Sequence, residues 1–319
     1  MPENTNQPRT ELPELPRGLA LAWGVAASPQ RGPKREMSVE RIVESAVAIA
    51  DAEGLGAVSM AAVAKSLGFS PMSLYRYVTA KDDLLLLMEE EAVGLPPVPD
   101  GPVGDWRSGL TGIFNALVQV YVNHPWLLSI PVNGSPITPN NSAWLDAALG
   151  VLRETGLSQA ERLAVALAIS GQARWCGMVL VGYRQTALRE GLDEDQFSRR
   201  EAEFFDAVID EAGYPHLRQV IDAQVFTSEY DPMSFGLHRL LDGIELHLQQ
   251  AGGHETPSPE PPAYSIEDPQ LLEDKRFKAA DKAMREAQKA LAAARKVLRQ
   301  TEKARAQAAT AARDRLQGR

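Results

Sequence analysis

Between Ser59 and Met88 the chain reads SMAAVAKSLGFSPMSLYRYVTAKDDLLLLM, a stretch that constrains the fold more than any other in its 319 residues. Ser59 is placed to cap a short helix in which Met60, Val63, Ala64 and Leu67 follow the i, i+3, i+4, i+7 spacing of one buried face. Gly68 is the natural stop, because glycine enters a left-handed turn without steric cost. Ser70 and Pro71 open a second short helix, proline being tolerated at the first helical position, where its missing N–H has no helical partner to lose. With Phe69, Leu74 and Val78 as core, helical geometry puts Met72 and Arg76 on the opposite side, flanked by Ser73 and Tyr75. A further helix start is predicted at Thr79, with Asp82 as a capping-box variant and LLLLM behind it. Upstream, Ser38 opens a helix with Val39, Ile42, Val43, Ala46, Ile49 and Ala50 in register, stopped by Gly54.

Two short helices about a glycine turn form the helix-turn-helix arrangement, whose second helix can enter a DNA major groove. The chemistry of the outward face suits that role. Ser73 can hydrogen-bond a base edge, Met72 can touch a thymine methyl, and the Tyr75 and Tyr77 hydroxyls and Lys81 suit phosphates. Tyr77 is partly inward by geometry, so packing and DNA contact both stay open for it.

A net charge of −9 argues against nucleic acid only if it is evenly spread, and it is not. From Arg31 to Lys81 seven Lys or Arg stand against five Asp or Glu, and from Ile266 onward fourteen stand against eight. Local sign, not the global sum, decides phosphate contact.

Five segments are expected. Residues 1–36 form a Pro-rich arm with one short helix around Gly18 to Val25 and a basic patch at Arg31, Lys34 and Arg35; a disordered leader and a DNA-contacting arm both fit. Residues 37–94 hold the helix-turn-helix. Residues 95–252 read as further helices, near 105–125, 141–155, 158–189, 194–212 and 231–250, with no alternating strand pattern. Residues 253–268 are a Pro- and Gly-rich linker. From 269 to 319 a charged, Ala-rich helix carries Phe277, Met284, Leu291 and Leu298 seven apart, with Ala280, Ala287, Ala294 and Thr301 three residues after each. A coiled coil, a basic nucleic-acid-contacting tail and a solvated single helix all fit this pattern. The fold class is therefore all-α.

SPMSLYRYVTAKDDLL resembles the recognition helix and following turn of TetR-family regulators. SMAAVAKSLG and IVESAVAIADAEGLGAVSM resemble the two helices before it, about fifty residues in all. The later NHPWLL and FGLHRLLDGIELHL are loosely similar to the tetracycline-repressor branch of that family. The resemblance implies a ligand-responsive regulator, most often a repressor. It would act as a homodimer on a near-palindromic double-stranded DNA operator, with a small-molecule effector site in each C-terminal domain. By the same resemblance Ser70, Pro71, Met72, Ser73, Tyr75, Tyr77 and Lys81 are the DNA-facing positions, and Ser59, Arg76 and the Arg31, Lys34, Arg35 arm complete the candidate set. Family members often carry Arg or Lys just after the position of Ser59, where this chain has Met60, Ala61 and Ala62. Little base reading is expected there. The dimer interface is expected on the helices near 158–189 and 232–250.

Trp126, Trp144, Arg174, Trp175, Met178 and Tyr183 could line an apolar pocket with one cation, although each also suits plain core packing. His124, before Pro125, could serve as a ligand contact or a cap. The five histidines and the single Cys176 show no metal-ligand spacing, no glycine loop cradles phosphate, and no nucleophile stands beside a base, so neither an enzyme nor a cofactor or metal site is expected. The N-terminus lacks a secretory layout, and the apolar run from Leu163 to Gly182 is interrupted by Gln172 and Arg174. The expectation is a cytoplasmic protein with no membrane partner. The rival reading is a structural or partner-binding protein acting through the heptad helix.

Overall fold

A computed structural model describes residues 15–25, 37–97, 105–132, 138–251 and 273–317. Among the described residues all regular structure is helical. The linker and the Arg31, Lys34, Arg35 patch lie outside them. Backbone contacts divide the chain into two units, Met1–Glu201 with Thr227–Glu255, and Ala202–Phe226 with Thr256–Arg319.

The first unit begins with α1 (Arg17–Ala22), followed by α2 (Val39–Glu53), α3 (Met60–Leu67), α4 (Pro71–Leu74) and α5 (Lys81–Val93). Ser38 caps α2 by accepting from the Arg41 N–H, and Ser59 caps α3 by accepting from the Ala62 N–H at 3.1 Å. Gly68 closes α3 with φ of +75°, as its place in the sequence requires. Ile42, Val43, Ala46 and Ala50 of α2 meet Val63 and Ala64 of α3, Leu74, Val78, and Leu84 and Met88 of α5 in one core. Buried Leu19 and the first turn of α1 pack on α5, which gives the short helix expected near Gly18 a definite seat.

Two expectations are corrected here. The helix expected at Thr79 starts at Lys81 with Ala80 as its cap, and the Thr79 hydroxyl instead donates to Asp83 Oδ2 at 3.0 Å. Ser70 occupies the cap position of α4, but its hydroxyl pairs with the Ser73 hydroxyl at 3.0 Å rather than with a backbone N–H.

The same unit continues with α6 (Trp106–Asn123), a 3-10 turn (Pro125–Ser129), α7 (Pro139–Val151), α8 (Gln159–Arg189) and α11 (Pro232–Ala251). Ser158 and Glu161 form a reciprocal capping box at the start of α8. Leu110, Ile113, Phe114 and Leu117 of α6 pack with Trp144 and Ala148 of α7, Ala166, Ile169, Ala173 and Cys176 of α8, and Leu237, Leu241 and Ile244 of α11. Burial pushes the Cys176 thiol above its ordinary pKa, so the thiolate is disfavoured. Helices α6 and α8 approach closely at Gly177, where a Cβ would stand 2.8 Å from Tyr121 Cβ. Arg107 ties α6 to α11 through Asp242 at 2.7 Å and Glu245 at 2.8 Å, and His247 ties α11 to α8 through Glu161 at 2.9 Å.

Helix α8 is long and apolar enough to cross a bilayer by length and composition. Its Ala166, Ile169, Ala173 and Cys176 edge lies in the protein core, and Arg174 in its middle is occupied by backbone carbonyls.

Helix α9 (Glu194–Val208) runs from the first unit into the second, which also holds α10 (Pro215–Asp222) and α12 (Lys275–Gln317). Arg218 joins α10 to α9, pairing with Asp206 at 2.6 Å and Asp222 at 2.7 Å, while the Phe205 and Phe226 rings stack 5.1 Å apart. The tail helix begins where the Asp274 carboxylate accepts from the N–H groups of Arg276 and Phe277, both at 2.8 Å.

Candidate nucleic-acid interface

The outward face of the helix-turn-helix is built from beneath. Leu74 and Val78 are 0% exposed, and the backbone N–H of Val78 bonds the Leu74 carbonyl at 3.0 Å, so the segment from Pro71 to Val78 is anchored to the core at its middle and its C-terminal end. The regular helix is a single turn, Pro71–Leu74; Tyr75 to Tyr77 continue as turn, with the Tyr77 N–H bonded to the Leu74 carbonyl at 2.8 Å. That geometry leaves Met72 74% exposed and Tyr75 43% exposed, with Arg76 beside them. Ser70, Pro71, Lys81 and Ser59 are also exposed, and Ser73 is half-buried. Tyr77 is half-buried and packs against the core, which answers the packing half of its two readings.

The candidate effector residues occupy several different surroundings. Trp126 is 4% exposed and belongs to the core beneath α2, where its indole N–H donates to Asp51 Oδ1 at 2.7 Å. His124 Nδ1 meets the same oxygen at 2.8 Å. The Pro125 turn thus folds these two side chains onto α2 as a fastening between the head and the following helices. Trp144 is buried in the second core and donates to the Gly94 carbonyl at 3.0 Å. Trp175 and Met178 are 53% and 46% exposed on the outer side of α8. Tyr183 donates to Glu201 at 2.8 Å, a bond that pushes the phenol above its ordinary pKa.

Arg174 sits at a second polar junction. Its guanidinium donates to the carbonyls of Leu128 at 3.2 Å and Ile130 at 2.9 Å and lies 5.8 Å over the Tyr121 ring. Across from it, burial raises the Glu89 carboxyl above the ordinary glutamate value, with the Arg174 charge and a hydrogen bond from Asn141 acting against the rise. Tyr121 is raised chiefly by burial as well. Neighbouring Glu90 accepts from the Asn140 backbone N–H at 2.7 Å through Oε1, while its Oε2 is buried without a hydrogen-bond partner. The junction therefore joins α5, which carries the head, to α6, α7 and α8. Sequence reasoning missed Glu89, Glu90, Asn140 and Asp51; the run of acids from Glu89 to Glu91, directly behind the apolar LLLLM, was the available signal.

A serine-capped helix, a glycine turn and a pinned second element with an exposed Met-Tyr-Arg face define a helix-turn-helix DNA-binding protein. Residues 42–88 match the family model for bacterial regulatory proteins of the tetR family, and residues 98–248 match the tetracyclin repressor-like C-terminal domain. Among curated proteins the chain is 33% identical over 246 residues to the HTH-type transcriptional repressor DrrR1 of Streptomyces coeruleorubidus, covering 76% of this chain and 90% of that one. The chain belongs to the TetR family of transcriptional regulators. Apo ActR from Streptomyces coelicolor shares the fold, with a TM-score of 0.56 at 21% identity over 69% of this chain and all of that one. ActR in complex with actinorhodin gives a TM-score of 0.56 at 23% identity over 67% of this chain and 98% of that one.

Proposed function

We propose that the protein is a cytoplasmic repressor that binds a near-palindromic operator as a homodimer and is released by a small molecule. In this reading residues 37–94 form the DNA-binding head and residues 95–252 the effector and dimerisation domain. The observation that carries the DNA half is the exposed face of Met72, Tyr75 and Arg76, held rigid by the fully buried Leu74 and Val78. Groups that read base edges must be presented on a fixed backbone, and this one is fixed.

Two features support dimerisation. Leu163, Leu167, Gly171, Trp175, Met178 and Gly182 form one exposed stripe along α8, and α11 adds exposed Phe235 and Leu246. An uncovered apolar stripe of this length on a soluble regulator suits a partner helix pair. For the effector half, the support is the polar junction around Glu89 and Arg174 together with the ligand-bound state of ActR, which shares the fold. A ligand that separates Arg174 from the junction would tilt α5 and with it the head.

The test is a mobility-shift titration of the purified protein on the DNA upstream of its own gene, across a salt series. The shift should weaken steeply with salt, and Tyr75→Ala should abolish it; binding indifferent to both salt and Tyr75 would sink the reading.

A further inference from the structure

The DNA-binding head is short of positive charge. Residues 37–94 carry four Lys or Arg against nine Asp or Glu, a net −5. A duplex is a dense line of phosphates, and sequence-independent affinity comes almost entirely from cations set against it. The four cations of the head, Arg41, Lys65, Arg76 and Lys81, are exposed on an acidic body.

Positive charge is stored elsewhere. Helix α12 spans 43 residues, Lys275–Gln317, with thirteen Lys or Arg against four Asp or Glu, a net +9. The whole chain is −9, so everything outside α12 sums to −18. The cations are also ordered. Lys275, Lys282, Lys289 and Lys296 recur every seven residues and are all exposed, with Lys278 and Arg285 on the flank. Seven residues advance a helix by roughly 10.5 Å while returning nearly to the same side, so these lysines form one row along one edge. Ion pairs from Lys282 to Glu286 at 3.9 Å and from Arg285 to Asp281 at 2.8 Å support the helix along this stretch.

The opposite edge carries Phe277, Met284, Leu291 and Leu298 with alanines between them. Against a second copy this seam would bury little, since every second layer is a methyl group, and the pattern lapses at Arg305. Charge complementarity to polyphosphate is the stronger match.

We propose that α12 is a cationic arm that lies along the phosphate backbone of duplex DNA and supplies the regulator's sequence-independent affinity. It rests on the DNA-binding reading above and adds to it a division of labour: the helix-turn-helix discriminates sequence, and the tail supplies attraction that an acidic head lacks.

The test uses the full chain and fluorescence anisotropy with two labelled duplexes, one of random sequence and one carrying the upstream operator. Lys275, Lys282, Lys289 and Lys296 are replaced together by Gln, which has nearly the same helix propensity, and far-UV circular dichroism checks that the helix persists. Random-duplex affinity should fall tenfold or more at low salt. The slope of log K against log salt should shrink, by about three to four per tail if all four lysines sit on phosphates. The same Gln variant should keep its preference for the operator over the random duplex, since loss of phosphate contacts lowers both affinities by a similar factor. Lysine-dependent random binding without any operator preference would remove the proposed operator function and leave the arm standing. Unchanged random-duplex affinity and slope in the Gln variant would overturn the arm. So would unchanged random binding joined to loss of self-association in Leu291→Ser, Leu298→Ser, which would make the seam an interface with a second copy.

Discussion

The backbone N–H of Gly18 donates to Asp83 Oδ1 at 2.9 Å, joining the N-terminal helix to the first turn of the helix that carries the DNA-binding head. Asp83 also accepts from the Thr79 hydroxyl at 3.0 Å, so one carboxylate organises both the entry to α5 and the seat of α1. The approach requires glycine. A Cβ at Gly18 would lie 2.9 Å from Asp83 Oδ1 and 3.1 Å from Asp83 Cα, and the second contact is to backbone that cannot rotate away.

Gly18→Ala should therefore lift α1 from α5 and expose Leu19, at a cost of about 1–3 kcal/mol, as for overpacking in a close contact. The check is hydrogen exchange over residues 17–22 together with the urea midpoint. Protection equal to the wild type would show that α1 is not held through this bond.

Asp51 links the head to the rest of its unit through Trp126 and His124. Asp51→Ala leaves the buried indole N–H of Trp126 without its acceptor, for which a loss of about 1–3 kcal/mol is expected. Trp126→Phe in the same background should then cost less than Trp126→Phe alone, because the two residues share one bond. Additive losses in the double-mutant cycle would separate them.

Much of the head was legible in the sequence because its signals are local. The Ser59 cap, the Gly68 stop and the inward pair Leu74 and Val78 each act within four residues of where they stand. The length of α4 was not legible, since Leu74 and Val78 point inward whether the intervening residues are helix or turn. Nor was α10, an eight-residue helix too short to show a period. The partners of Trp126 and His124 lie 75 and 73 positions away on α2, so their role as a fastening emerges only from tertiary structure. Glu89 and Arg174, whose charges influence each other in the folded chain, stand 85 positions apart, which hid that influence too.

Glu89 sets a pH dependence whose sign follows from burial. Its folded pKa is raised above the unfolded value, so its protonated form stabilises the fold at low pH. That contribution is lost as pH rises from about 4.5 through the folded pKa. Glu89→Gln keeps the side-chain shape and removes the cost of a buried charge. The variant should melt above the wild type at pH 7 to 8, with the gap closing as pH falls towards 4. A wild type more stable than the variant at pH 8 would mean that attraction to Arg174 outweighs desolvation at this site.

The proposed dimer turns on the outer stripe of α8. Leu167 is 52% exposed, so Leu167→Glu should leave the fold of one chain intact while placing a charge in the middle of an apolar contact. Light scattering after size exclusion should show a shift from dimer to monomer. Operator affinity should drop by about a hundredfold or more, because two heads on one operator act at high effective concentration only while joined. Gly182 provides a subtler control. A Cβ there meets nothing within 4 Å in one chain, so Gly182→Ala should stabilise an isolated helix by roughly 0.5–1 kcal/mol. If a partner helix packs closely over this face, the added methyl must instead weaken the dimer, and the two measurements will move in opposite directions. A Leu167→Glu protein that stays dimeric and binds operator normally would move the interface off α8.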